Sequence, residues 1–349
     1  VARGFASDNS AGVHPEVLAA IARANDGHVS SYGHDALTER VDGLLRERFG
    51  AASAPFLVFN GSAANVLCLR AACRPWHAVI CAAGAHLNVD EGGAPEALAG
   101  VKLLAVDTPD GKLTPDLVDS RMQRIGDAHA VQPRVVSVTQ SSELGTVYGR
   151  DELRALAEHV HARGLLLHVD GARLANAAAS LGVSLAAVST GAGADFVSFG
   201  GTKNGLMLGE AVIVADPALA DDVRYLRKQT LQLASKMRFL SAQFEAYLTD
   251  DLWRRGAAHA NAMAARLAAG LRGLESVQVT QPVQANVVFA RLPRSAIARL
   301  QDRYPFHVWD EARDEVRWMC SWDTSEQDVD GFAAAIRETL GAWRLTLDA

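Results

Sequence analysis

The stretch Leu165-Leu166-Leu167-His168-Val169-Asp170-Gly171-Ala172-Arg173 opens as an apolar run of strand length and closes on an acid, a glycine and a base. A run that is continuously apolar, rather than alternating, suits a strand buried on both faces by helices. Six more runs of this kind occur, at 56–59, 78–81, 101–106, 134–139, 195–199 and 210–215. Segments with helical spacing separate them: Ser62 to Ala72 follows the first through a tight turn, and Leu153 to Ala162 precedes the quoted stretch. Seven such strands joined by right-handed crossovers predict an α/β chain built on a mostly parallel, helix-covered sheet.

Past residue 250 the pattern changes. Ala257 to Leu271 is an alanine-rich helix, 277–280, 286–290 and 316–320 read as strands, and Asp328 to Leu345 closes with a helix. These elements suit a smaller α+β domain. The expected division is an N-terminal arm at 1–15 that packs near a site, a large domain at 16–250 and a small domain at 251–349.

The formal net charge is −6 in a chain of 349 residues, and no run of Lys and Arg forms a basic stripe. That balance argues against nucleic-acid or acidic-membrane partners. Cys68, Cys73, Cys81 and Cys320 have neither metal-site spacing nor the density of a secreted disulfide scaffold, so they read as core thiols, and no metal is expected. Val1-Ala2-Arg3-Gly4-Phe5 has no apolar signal region, and no stretch is apolar for long enough to span a bilayer. A cytoplasmic location is expected.

Open parallel sheets bind ligands beyond the C-terminal ends of their strands. Asp170 stands at such an end, and so does Lys203 in Ser198-Phe199-Gly200-Gly201-Thr202-Lys203-Asn204-Gly205. Each alone says little, since most lysines are solvated and Asp-Gly is a common turn. Together they match what pyridoxal 5'-phosphate requires: an amine that forms a Schiff base with the cofactor aldehyde, and an aspartate that keeps the pyridine nitrogen protonated. Gly61 and Ser62, in Asn60-Gly61-Ser62-Ala63-Ala64-Asn65, open a helix whose N–H groups suit a phosphate. A simple serine cap is the competing reading. His86, after the second strand, could stack on a flat ring or move protons, against the reading of a surface histidine. Arg173 offers a fork for an α-carboxylate, against an exposed helix position.

These elements, with Phe5-Ala6-Ser7-Asp8-Asn9, Ser31-Tyr32-Gly33, Asp127-Ala128-His129 and Val316-Arg317-Trp318, resemble the L-threonine aldolase family of pyridoxal phosphate enzymes over nearly the whole chain. That family lies within the aspartate-aminotransferase-like fold (fold type I). Gly200-Gly201-Thr202-Lys203-Asn204-Gly205 is most similar to the low-specificity and phenylserine aldolase branch. The resemblance implies retro-aldol cleavage of L-β-hydroxy-α-amino acids to glycine and an aldehyde. Lys203 would carry the Schiff base, Asp170 the pyridine nitrogen, Gly61 and Ser62 the phosphate, and His86 would stack on the ring. His129 would sit near the β-hydroxyl, and Ser7, Arg173 and Arg317 would grip the carboxylate. Tyr32, Lys228 and Arg238 would reach the active site of a neighbouring subunit in a homotetramer, a dimer of dimers.

The chain departs from the family at His34, where many relatives carry an acid. It departs again at Thr139-Gln140-Ser141-Ser142-Glu143-Leu144-Gly145, against a common Glu-Asn-Thr-His pattern. Both departures border the pocket and bear on substrate range. His86, His129 and an ordered water stand as candidate bases. A β-eliminating lyase or aminotransferase is the nearest alternative. A non-catalytic binding or regulatory protein would have no need of Lys203, Asp170 and Arg173 together.

Overall fold

The computed structural model describes residues 3–347; residues 1–2 and 348–349 of the expected terminal segments lie outside it. All seven apolar runs form strands: β1 (Ala54–Val58), β2 (His77–Ala82), β3 (Lys102–Val106), β4 (Gln132–Thr139), β5 (Leu166–Gly171), β6 (Phe196–Gly200) and β7 (Glu210–Val214). They make one sheet in the order β1-β7-β6-β5-β4-β2-β3. The pairs β3–β2, β2–β4, β4–β5 and β5–β6 are parallel, and β7 runs antiparallel to both β6 and β1. The exception has a local cause. A parallel crossover needs about a dozen residues or more, usually with a helix. Residues 201–209 are too few for that, so the chain turns back and carries Lys203 on the turn.

Every residue of β6 and β7 is buried, which accounts for their unbroken apolar character. Val197 and Phe199 face one layer, containing Leu153, Phe244 and Tyr247. Phe196 and Val212 face the opposite layer, with Leu67 and Cys68 of the helix Gly61–Ala72. The sheet is therefore covered on both sides.

A second, antiparallel sheet has the order β10-β11-β9-β8, from β8 (Gln278–Val279), β9 (Val287–Arg291), β10 (His307–Asp310) and β11 (Glu315–Met319). Three of these match the expected strands. The fourth, β10, is a short edge strand with no buried residue, so its sequence carries no apolar run. The helix Leu252–Gly270 links the two halves: Leu252, Trp253 and Ala257 belong to the first core, Met263, Ala264 and Leu267 to the second.

The N-terminal segment crosses back onto the second sheet. Phe5 N donates to Pro305 O at 2.7 Å, and Met319 N donates to Phe5 O at 2.8 Å. The Phe5 ring stacks on Phe332 with centroids 4.4 Å apart. This route brings residues 7–9 to the C-terminal edge of the large sheet. Among the described residues, no helix is long and apolar enough to cross a membrane.

Candidate active site

One cavity opens at the C-terminal ends of the parallel strands. It is lined by Lys203, Asp170, Arg173 and His86, by Gly61 and Ser62, and by Ser7 and Arg317 from the N-terminal segment and β11. Eight of the residues singled out in the sequence thus meet in one place.

Each is held by its neighbours. Asn60 caps the helix Gly61–Ala72, its Oδ1 accepting from Ala63 N at 2.9 Å, so the cap is not Ser62. The helix start and the Ser62 hydroxyl are left facing the cavity. Asp170, almost wholly buried, accepts from Ala172 N at 3.0 Å through Oδ1 and from Asn65 Nδ2 at 2.8 Å through Oδ2. Asn65 Nδ2 also donates to Glu91 Oε1 at 2.8 Å, and Glu91 Oε1 lies 2.9 Å from His86 Nδ1. A polar chain therefore runs Asp170–Asn65–Glu91–His86. The bond to Glu91 raises the pKa of His86 against the opposing effect of burial. Below Asp170, His168 bridges Ser137 Oγ at 2.9 Å and Ser198 Oγ at 3.0 Å, and burial lowers its pKa to about 4. It is a neutral structural imidazole at neutral pH.

Lys203 lies on the turn between β6 and β7. Burial lowers its pKa, and the Arg173 guanidinium lowers it further. A depressed lysine pKa is what a nucleophilic amine needs. Glu210, at the start of β7, accepts from Gly201 N at 2.8 Å and so pins this turn. Burial pushes Glu210 up to about 7.

Arg173 is gripped by Asp8, which the sequence reading passed over: Nε and Nη2 donate to Asp8 Oδ2 and Oδ1 at 2.7 and 2.8 Å. Arg317 Nη2 donates to Ala6 O at 3.2 Å, and its guanidinium lies 5.2 Å from the centroid of Trp309. Both cavity arginines are thus set by residues 6–8. Ser7 Oγ accepts from Asn9 N at 3.1 Å. Asp8 stands beside Ser7 in the sequence, and that adjacency was its only signal. Trp309, on the exposed strand β10, carried none.

Four expected site residues lie elsewhere. His129 is exposed and precedes β4, close to where Gln132 N bonds Trp76 O at the start of β2. That is the N-terminal edge of parallel strands, whereas the cavity opens at their C-terminal ends, so His129 does not line the cavity of its own chain. Tyr32 and Lys228 meet at the surface, with Nζ 4.9 Å from the ring centroid. Arg238 Nη1 donates to the carbonyls of Asp26 and Gly27 at 3.2 and 3.0 Å. None of these three lines the cavity of its own chain.

The Thr139–Gly145 segment brings a further acid to the cavity. Glu143 lines the cavity, its Oε1 accepting from His86 N and from Thr139 Oγ1, both at 2.7 Å. Burial raises its pKa, and the nearby negative charge of Asp170 adds to the rise.

A buried lysine, a buried aspartate and an open helix start, all at strand ends, are arranged as in fold type I proteins. The chain belongs to the beta-eliminating lyase family, whose model matches residues 4–293. It is 46% identical over 340 residues to a low specificity L-threonine aldolase of Pseudomonas aeruginosa, covering 97% of this chain and 98% of that one. A low specificity L-threonine aldolase of a Pseudomonas species is 43% identical with the same coverage. The solved threonine aldolase of Leishmania major superposes with a TM-score of 0.91 at 32% identity, covering 96% of this chain and 99% of that chain.

Proposed function

We propose that this chain uses pyridoxal 5'-phosphate to cleave L-β-hydroxy-α-amino acids, among them L-threonine, L-allo-threonine and L-phenylserine, to glycine and an aldehyde. The observation that carries this is the convergence of Lys203, Asp170 and Arg173 in one cavity beside an uncapped serine at a helix start. The cavity fits the cofactor. The space around Gly61 is open where a side chain would stand, and Ser141 Oγ is buried without a hydrogen-bond partner.

When bound, the cofactor supplies a sink for the electron pair released at Cα. The protein supplies the rest. Gly61 and Ser62 would hold the phosphate, Asp170 would keep the pyridine nitrogen protonated, His86 would support the ring and Lys203 would provide the amine. Ser7, Arg173 and Arg317 hold the substrate carboxylate, which turns the Cα–Cβ bond toward the geometry for cleavage.

The reading extends to a cytoplasmic protein, supported by four buried free cysteines. It extends also to a homotetramer in which Tyr32, Lys228 and Arg238 serve the neighbouring site, supported by their surface placement. An arm at 1–15 and domains at 16–250 and 251–349 are supported by the two separate cores.

The test is aldehyde and glycine release from L-threonine, L-allo-threonine and L-phenylserine with added cofactor, alongside the visible spectrum of wild type and Lys203→Ala. Aldehyde release and a lysine-dependent absorbance band are expected, and both vanish in Lys203→Ala. Keto acid without aldehyde would move the chain to the eliminating lyases or aminotransferases.

A further inference from the structure

Cleavage of a β-hydroxy amino acid needs a group that takes the hydroxyl proton as the Cα–Cβ bond breaks. Among the side chains lining the cavity, the structure narrows the choice. His129 does not line the cavity of its own chain. His86 Nδ1 is engaged by Glu91, whose side chain is fully buried, so the imidazole is held toward its protonated form, a donor rather than an acceptor. Asp90 lines the cavity but is exposed, and a solvated carboxylate is a weak base. Glu91 Oε1 is committed to Asn65 and His86, and its Oε2 is buried without a partner, so neither oxygen is open to a substrate. Lys203 is reserved for the cofactor.

We infer that Glu143 is the catalytic base for the β-hydroxyl, a further catalytic residue that rests on the aldolase reading above. Its Oε1 is fixed by His86 N and Thr139 Oγ1, and the carboxyl lies at the wall of the cavity. Two donors on one oxygen set the carboxyl in one orientation at the cavity wall, as positioned proton transfer requires. Asp170, Arg173 and His86 are the charged and titratable neighbours, with the Cys81 thiol and the Tyr148 phenol also within its field. Burial keeps Glu143 more basic than a solvated glutamate, which suits a base working near neutral pH.

The step balances on these atoms. The hydroxyl proton passes to the Glu143 carboxylate, and the O–H pair becomes the second bond of the aldehyde carbonyl. The Cα–Cβ pair stays with the glycine fragment. A proton returned to Cα completes glycine, and Glu143 is ready for another turnover once deprotonated.

The test separates this step from the rest. Glu143→Gln keeps the size of the side chain and an oxygen for both donors. Aldehyde release by the loaded variant should fall by about 10²- to 10⁴-fold. Exchange of the glycine Cα proton with solvent deuterium, which involves no β-hydroxyl, should continue. Glu143→Asp should recover part of the cleavage. In the cofactor-free protein, the infrared difference between wild type and Glu143→Gln should show a carboxyl titrating above the ordinary glutamate range. Cleavage at the wild-type rate in Glu143→Gln would overturn the assignment. So would equal loss of cleavage and exchange, which marks a structural role, or a carboxyl titrating in the ordinary range. Wild type that exchanges glycine yet releases no aldehyde would instead remove the aldolase reading, and the base with it.

Discussion

Asp8 clasps Arg173 through two parallel hydrogen bonds of 2.7 and 2.8 Å, with the carboxylate side chain 1% exposed and the guanidinium 15%. A buried pair of this geometry fixes the Nε edge of the guanidinium, and Nη2 also donates to Met319 Sδ at 3.0 Å, which leaves Nη1 for a ligand carboxylate. Asn286 Nδ2 donates to Asp8 Oδ2 as well, at 3.1 Å, so the acid has a second anchor on the neighbouring sheet.

Asp8→Asn should therefore destabilise the protein and loosen substrate binding together. Removing one charge of a buried pair costs on the order of 3 kcal/mol. A substrate KM raised about tenfold would correspond to roughly 1.4 kcal/mol of lost orientation. Burial works to raise the pKa of Asp8, but Arg173, with Lys203 and Asn286, holds it below the ordinary value of 3.8. Its stabilisation is thus complete above pH 3.8 and is lost as pH falls through the lower folded value. Urea unfolding across acid pH should show that dependence in wild type and lose it in Asp8→Asn.

Asn65→Leu would strip both Asp170 and Glu91 of an amide donor. Leaving buried acceptors unpaired costs about 1–3 kcal/mol. Thermal unfolding should report that loss, and equilibrium dialysis should report weaker cofactor retention. Tight cofactor binding in Asn65→Leu would show that Asp170 needs no such support.

Gly200→Ala tests the closeness of the two strands that carry Asp170 and Lys203. An added Cβ would stand 2.4 Å from Ala172 O and 2.8 Å from its carbonyl carbon, where only backbone could yield. A cost of about 1–3 kcal/mol is expected from overpacking. Cofactor affinity should drop as the lysine turn is pushed away from β5.

Glu210→Gln should change how stability depends on pH. The folded pKa of Glu210 is raised from 4.5 to about 7. The folded state therefore binds the proton more tightly, and its advantage is full below pH 4.5. As pH rises through about 7 wild type should lose roughly 3 kcal/mol of that advantage, at about 1.4 kcal/mol per unit. The glutamine variant, which keeps an acceptor for Gly201 N, should not. Chemical denaturation at pH 5 and pH 8 would reveal the difference, and parallel curves would refute it.

The parts of this fold that could be read in advance are those that physics marks locally. Strands buried on both faces are largely apolar, so the inner strands β2 and β4 to β7 stood out, and the edge strands β1 and β3 carry apolar runs of their own, whereas β10 has no buried residue and could be polar. Lys203, Asp170 and Arg173 were legible because each follows an apolar run. Glu143 follows β4 by the same rule and was within reach of it. The same rule separates His129, which precedes its strand, from the residues that line the cavity of their own chain. Asp8, Asn65 and Glu91 act through partners distant in sequence, and no local pattern announces such pairings.

The return of the N-terminal segment onto β11 also sets an order of assembly. Phe5 finds its backbone partners only at Pro305 and Met319, so residues 5–8 must wait for residues 286–319. During synthesis the large sheet, with Lys203 and Asp170 in place, can form while Asp8 still lacks the Asn286 anchor and Arg317 has not been made. A nascent chain halted near residue 250 would possess the lysine but no finished carboxylate grip. Amino-acid recognition is thereby withheld until the strand that carries Arg317 has been made.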